Sequence, residues 1–278
     1  MRVWRVPEDK GSMFVNRRVA QRTPGQTTSR RTVSDRRTQI YAEHAASFSA
    51  HSADRRDMRE TYHGQLDAIV VSLVGLTETV ADAVNRATRS LLDADLPLAE
   101  QVISDDRIVD AAHDDIEQRA FALLARQSPV AGELRTIVAA LRMTNALGRM
   151  GDLAAHVAKV ARLRYPESAV PDALRDNFNS VATLAESMVR TAATTLRDRN
   201  VENAAQLAED DEEMDELRAA QFHVLLGPDW TEGVEKAVDA ALLGRYYERI
   251  ADHAVNIGSR VIYLTTGTAP EGDKWPKA

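Results

Sequence analysis

One phrase is written twice in this chain, and it constrains the fold more than any other feature. Residues 148–161 read GRMGDLAAHVAKVA, and residues 244–258 read GRYYERIADHAVNIG. Arg149 and Asp152 in the first stretch match Arg249 and Asp252 in the second. One segment earlier, DDRIVD at 105–110 resembles DDEEMD at 210–215. A chain repeating itself over this distance folds as two copies of one supersecondary unit.

The unit is helical. From about residue 60 the apolar residues recur at spacings of three and four, and breaks fall at Pro and Gly. The breaks are DADLP (93–97), QSPVAGE (127–133), YPESAVPD (165–172), DRN (198–200), LLGPDW (225–230) and TTG (265–267). They predict helices near 60–93, 97–126, 129–165, 171–198, 201–226 and 229–265, with Pro129 in a first helical turn and Gly227 just past a last one. Short linkers make neighbouring helices antiparallel. The expected fold is all-α: two pseudo-symmetric antiparallel three-helix bundles, 58–165 and 166–278. Leu243, Tyr247, Ile250, Ala254, Ile257 and Val261 form the apolar stripe of the last helix, and Tyr246, Tyr247 and Trp230 are expected at the bundle edge.

Residues 1–57 differ in kind. They carry 12 Lys and Arg against 6 Asp and Glu, whereas 58–278 carry 23 against 36. The segment NRRVAQRTPGQTTSRRTVSDRRTQ at 16–39 shows no apolar period. It is too polar to offset its ordering entropy by burial, so disorder is expected through 57. Such an arm suits nucleic acid or an anionic lipid. An extension ahead of a true start at Met58, where periodicity begins, is the preferred reading, and no direct nucleic-acid binding is expected.

The chain has no cysteine, so disulfides, thiolate ligands and cysteine nucleophiles are excluded. The most apolar window, AIVVSLVGL at 68–76, is far shorter than the roughly 20 residues of a bilayer span and reads as a buried stripe. No Walker-type G-x-x-x-x-G-K-[ST] motif is present, so a dedicated phosphate cradle is not expected. A cytoplasmic location fits these features.

The chemistry concentrates in acidic stripes. Asp106, Asp110, His113 and Glu117 share a face of the second helix, with Asp114 adjacent. Asp152 and His156 lie on the third helix, Asp211 and Asp215 on the fifth, and Glu248, Asp252 and Asn256 on the sixth. Like charges at i,i+4 destabilise a helix by a few tenths of a kcal/mol unless something positive lies between them. That positive group is either Arg or a hard cation. Carboxylates from facing helices of a bundle hold iron, manganese, magnesium or another hard divalent ion in this manner. Each pair alone is more often a solvated surface face with Lys or Arg nearby; recurrence in both copies raises the cation to an equal reading, and the two stay open on spacing alone.

Two triplets, PVAGELRTIVAALRM at 129–143 and the Glu-Arg-Ile-x-Asp-His phrase at 248–253 resemble the PhoU family over almost all of 58–278. The resemblance implies a metal-binding regulator of phosphate uptake and phosphate-starvation signalling, not an enzyme, and a homodimer. The implied partners are a sensor histidine kinase and the phosphate ABC transporter, with peripheral contact to those membrane-bound proteins. It places metal on Asp211, Asp215, Glu248 and Asp252 in the second copy. In the first it places metal on Asp106, Asp110 and Asp152, where Gly148 stands in place of the family's Glu. His113, Asp114 or His156 is the candidate replacement. A di-metal carboxylate enzyme of ferritin-like type is the alternative, but it needs a repeated Glu-x-x-His that the two copies lack. A histidine phosphotransfer bundle fits less well, since six long helices are too many.

Overall fold

The computed structural model describes the backbone of residues 30–126, 129 and 131–268, and side chains for 59–125, 129 and 131–268. Described residues form α1 (Arg30–Leu92), α2 (Leu96–Arg126), α3 (Gly132–Arg164), α4 (Arg175–Asp198), α5 (Val201–Leu225) and α6 (Gly233–Thr266), with a single 3-10 turn, Asp172–Leu174, leading into α4. No strand occurs among them. The all-α expectation holds.

The chain divides between Arg56 and Asp57 into two units. In the first, the backbone is helical from Arg30, within the segment where disorder is expected. Residues 30–57 hold Ala, Arg, Gln and Glu with no Pro or Gly, and adding residues to an existing helix costs far less than nucleating one. The remainder of that expectation, residues 1–29, lies outside the described residues.

The second unit is built around one apolar core that draws on every helix. Ile69, Leu73, Leu76, Val80 and Val84 of α1 share this core with Phe178, Val181, Met188 and Val189 of α4, and all are buried. The six residues of the α6 stripe are each at most 1% exposed. Tyr247 is therefore a core residue and not at the bundle edge, whereas Trp230 and Tyr246 pack half-buried against the core. Tyr247 finds a partner for its hydroxyl in half-buried Thr88 of α1, so burial leaves no polar atom stranded.

Helix ends follow local chemistry with two departures. Asn200 caps α5, its side chain accepting from the backbone of Glu202 and Asn203. Gly267 closes α6 in the left-handed region at φ 74°, with its N–H on the Tyr263 carbonyl. Pro129 is not in a helical turn, because α3 starts only at Gly132, after Ala131 takes a positive φ of 46°. At the start of α6, Trp230 donates Nε1–H to the Gly233 carbonyl, and the helix begins there, not near 229.

Candidate metal centres

Two helix hairpins carry the acidic stripes, and small residues set how closely their helices approach. On α3, a Cβ at Gly151 would lie 2.8 Å from Val109 Cγ1 and 3.4 Å from Asp106 Oδ1, so α2 rests almost on the α3 backbone. On α6, Gly258 meets Leu207 and Gly244 meets Gln221, which seats α5 the same way. The hairpins join through α3 and α6. Arg164 donates Nε–H to Asp239 at 2.5 Å, His156 stacks on Tyr246 at 5.5 Å, and Arg135 lies against Gly267. These pairs run in opposite order along the two helices, so α3 and α6 are antiparallel. Because residue 152 corresponds to 252, the pseudo-two-fold relating the copies passes between α3 and α6 near Gly151 and Ala251.

In the second copy, Asp211 is half-buried and its carboxyl is pushed up to about 6. Burial is the main cause, followed by the charges of Asp252, Asp215, Glu248 and Glu212. Burial also raises Asp252, with Glu248 adding to it and Arg245 and Arg249 pulling back. The four acids named from the sequence thus share one electrostatic neighbourhood. Glu248 differs from the others. Its Oε2 lies 3.0 Å from Arg218 Nε and its Oε1 accepts from Arg245 Nη1.

In the first copy, Asp106 is raised by burial, then by Asp110 and Asp152, against the opposing charges of Lys159 and His156. It lines a cleft of about 190 Å³ between α1, α2 and α3, with Asp82, Asp105 and Arg86. Arg86 occupies Asp105 at 2.8 Å, and Arg149 lies 3.3 Å from Asp152. His113 packs over Gly148, its Cδ2 3.3 Å from where a Cβ would stand. Donor atoms of His113, Asp114 and Glu117 lie within 4.8 Å of one another, the group of three found among the described residues. The imidazole therefore fills the space beside the glycine. His156 is exposed and stacked on Tyr246, and Asn256 accepts from Arg260 Nε at 3.3 Å.

The donors are of the type a hard divalent cation takes, although the group of three with donor atoms within 4.8 Å among the described residues is His113, Asp114 and Glu117 and not these acids. Among the described residues, Asp211, Asp215 and Asp252 take no hydrogen bond or ion pair, although two of them are raised by burial and mutual repulsion. Oxygen donors at this charge density suit magnesium, manganese, iron or calcium. Sequence reasoning missed Arg218. It stands three residues after Asp215 and seven after Asp211, on their face of α5, and that spacing was the available signal.

The fold and these paired acidic hairpins define a duplicated helical scaffold with a carboxylate cluster in each half. The model of the PhoU domain matches the chain twice, at residues 73–161 and 178–261, and the chain belongs to the PhoU family. It is 45% identical over 219 residues to the phosphate-specific transport system accessory protein PhoU homolog 1 of Mycobacterium leprae, covering 79% of this chain and 99% of that protein. It is 44% identical to PhoU homolog 2 of Mycobacterium tuberculosis over 77% of this chain and all of the relative. The crystal structure of PhoU from Pseudomonas aeruginosa superposes with a TM-score of 0.70 at 27% identity, over 74% of this chain and 100% of that one. The phosphate transport system regulatory protein PhoU from Streptococcus pneumoniae gives 0.69 at 25% identity, over 76% and 99%. No helix among the described residues is long and apolar enough to cross a membrane.

Proposed function

We propose that this chain is a non-enzymatic, metal-binding accessory protein of phosphate-specific transport that works in the cytoplasm as a negative regulator. In this reading it holds a sensor histidine kinase in the state that keeps phosphate-starvation genes silent when phosphate is plentiful. It does so through contacts with that kinase and with the phosphate ABC transporter, acting as a homodimer. Family membership and the accessory role named for its relatives support the reading.

The observation that carries the metal part is the crowding around Asp211. Four carboxylates from α5 and α6 share one neighbourhood, and three of them lack a protein partner. Asp211, Asp215, Asp252 and Glu248 would hold the ion in the second copy; Asp106, Asp110 and Asp152 would hold it in the first, with His113 beside Gly148. A bound divalent ion supplies positive charge shared among these oxygens. In its absence Asp211 takes up a proton as pH falls through about 6, and a bound ion would offset the repulsion among the acids of each hairpin. Phosphate sensing itself is assigned to the transporter.

Metal analysis of the purified chain tests this. Wild type is expected to retain a divalent ion through desalting, Asp252→Ala to lose the second-copy share and Asp152→Ala the first. Unchanged content in the Asp252 variant would remove the assignment.

A further inference from the structure

Arg218 reaches the second cluster from α5 and faces Glu248 Oε2, while Arg245 on α6 holds the other oxygen, Oε1. The Arg218 side chain is 13% exposed, and that of Glu248 is 19% exposed, so the pair is largely enclosed between α5 and α6. The Nε atom stands 3.0 Å from Glu248 Oε2, yet that oxygen is buried without an aligned N–H. Charge holds the two groups together, but a directed, bidentate hydrogen bond does not, and such a pair is weaker than the fork geometry guanidinium can offer.

A second seat for the guanidinium lies beside it. Nη1 reaches toward the Ala241 carbonyl at 3.4 Å, and the group sits 5.0 Å over the Phe222 ring. Gln221 is fully buried, and both its Oε1 and its Nε2 lack a partner. Gln221 and Arg218 press on the same glycine: a Cβ at Gly244 would meet Gln221 Oε1 at 2.0 Å and Arg218 Nη1 at 2.9 Å. An unpaired buried acceptor is costly, and here one stands next to a donor that leans elsewhere.

The first copy lacks both halves of the arrangement. Asp211 and Asp215 correspond to Asp106 and Asp110, which sets Arg218 against His113 and Glu248 against Gly148. His113 packs on Gly148 with no carboxylate to cover. The guanidinium is present where the carboxylate is present, and both are replaced together.

Resting on the metal reading above, we propose that Arg218 is an intramolecular competitor for metal at the second cluster: its guanidinium covers Glu248 Oε2, the oxygen Arg245 leaves open, and swings toward Gln221 when that oxygen ligates. A guanidinium and a divalent cation repel each other over one carboxylate, so apparent metal affinity falls by the fraction of molecules in which Glu248 is uncovered. Residue 218 thereby makes the two clusters unequal and sets the affinity of the second.

Calorimetric titration of the full chain with Mn²⁺ tests the proposal, comparing wild type, Arg218→Gln, Glu248→Gln and the double variant, each checked for helicity. Arg218→Gln is expected to tighten one class of site by about tenfold or more. In the Glu248→Gln background the same change is expected to do nothing. In the wild type, the Arg218 Nε–H resonance is expected to shift as Mg²⁺ is added, a readout that needs no variant to fold. Wild-type binding with an unshifted resonance, or with affinity unchanged or weakened in folded Arg218→Gln, overturns the competitor. Absence of binding in wild type and every variant removes the metal reading and this proposal with it.

Discussion

The hydroxyl of Tyr247 on α6 lies 2.8 Å from Thr88 Oγ1 on α1, so a part-buried hydrogen bond crosses from the first repeat into the second. Thr88 also donates to the Val84 carbonyl within its own helix, which leaves Thr88 Oγ1 to accept from Tyr247. Burial pushes the phenol well above its ordinary range, with the Thr88 hydrogen bond pulling back. Tyr247→Phe removes only this bond and is expected to cost about 0.5–1.5 kcal/mol. Tyr247→Ala opens the core and is expected to cost about 3–5 kcal/mol. Urea unfolding midpoints at constant slope measure both.

Glycines in this chain divide by what stands over them. A methyl at Gly151 meets buried, β-branched Val109 at 2.8 Å, so Gly151→Ala forces α2 and α3 apart. Overpacking of about 1–3 kcal/mol outweighs the gain of about 1 kcal/mol in helix propensity. Gly75 lies in α1 with nothing within 4 Å of its Cβ position, and Gly75→Ala is expected to stabilise by up to about 1 kcal/mol. Opposite shifts in thermal midpoint are the expected outcome; two shifts of the same sign would contradict the packing argument.

Stability of the chelated protein is expected to fall as pH rises from about 4 to about 6. The carboxyl of Asp211 titrates near 6 in the folded state, against about 3.9 in an unfolded chain. The native state therefore binds more protons across that window, and the stability present below it is lost above it. Asp211 is part-exposed, so solvent screening reduces the effect to about 1 kcal/mol. Asp211→Asn is expected to be more stable than wild type at pH 7 by that amount and equal to it below pH 4. Denaturant titrations across this range, with chelator present, supply the comparison.

Added divalent metal is expected to reverse that trend. An ion that binds the folded chain alone stabilises it by about 2.7 kcal/mol at a hundredfold excess over its dissociation constant. Scanning calorimetry with and without Mn²⁺ at pH 7 is expected to show the rise in wild type and a smaller one in Asp252→Ala. Equal rises in the two proteins would place the ion elsewhere.

Much of the fold was legible before the structure. The apolar stripe from Leu243 to Val261 named its buried face residue by residue, because a 3.6-residue period is a local property of the chain. The breaks at DADLP, DRN and TTG fell within a residue or two of the observed helix ends, since caps such as Asn200 and Gly267 act over one turn. The start of α1 did not yield to the same reasoning. Polar composition in 30–57 shows no apolar period that would mark a helix start, and the helical backbone there begins at Arg30.

The candidate site was legible as an inventory and not as an arrangement. Spacing placed Asp211 with Asp215 and Glu248 with Asp252 on single helix faces, and the repeat placed their counterparts. It did not reveal that Glu248 faces Arg218 across the hairpin, that His113 lies over Gly148, or that Tyr247 turns inward to Thr88.

The sequence by itself determined a duplicated set of helices, their buried faces and the acids each one carries, because periodicity, caps and repeats are written within a few turns of chain. Only the tertiary structure decided which acids remain without a partner and which is already claimed by a guanidinium. That depends on the register of one antiparallel helix against another. The register is fixed by how closely glycines such as Gly151, Gly244 and Gly258 let the backbones approach, a property that belongs to the pair of helices and to neither alone.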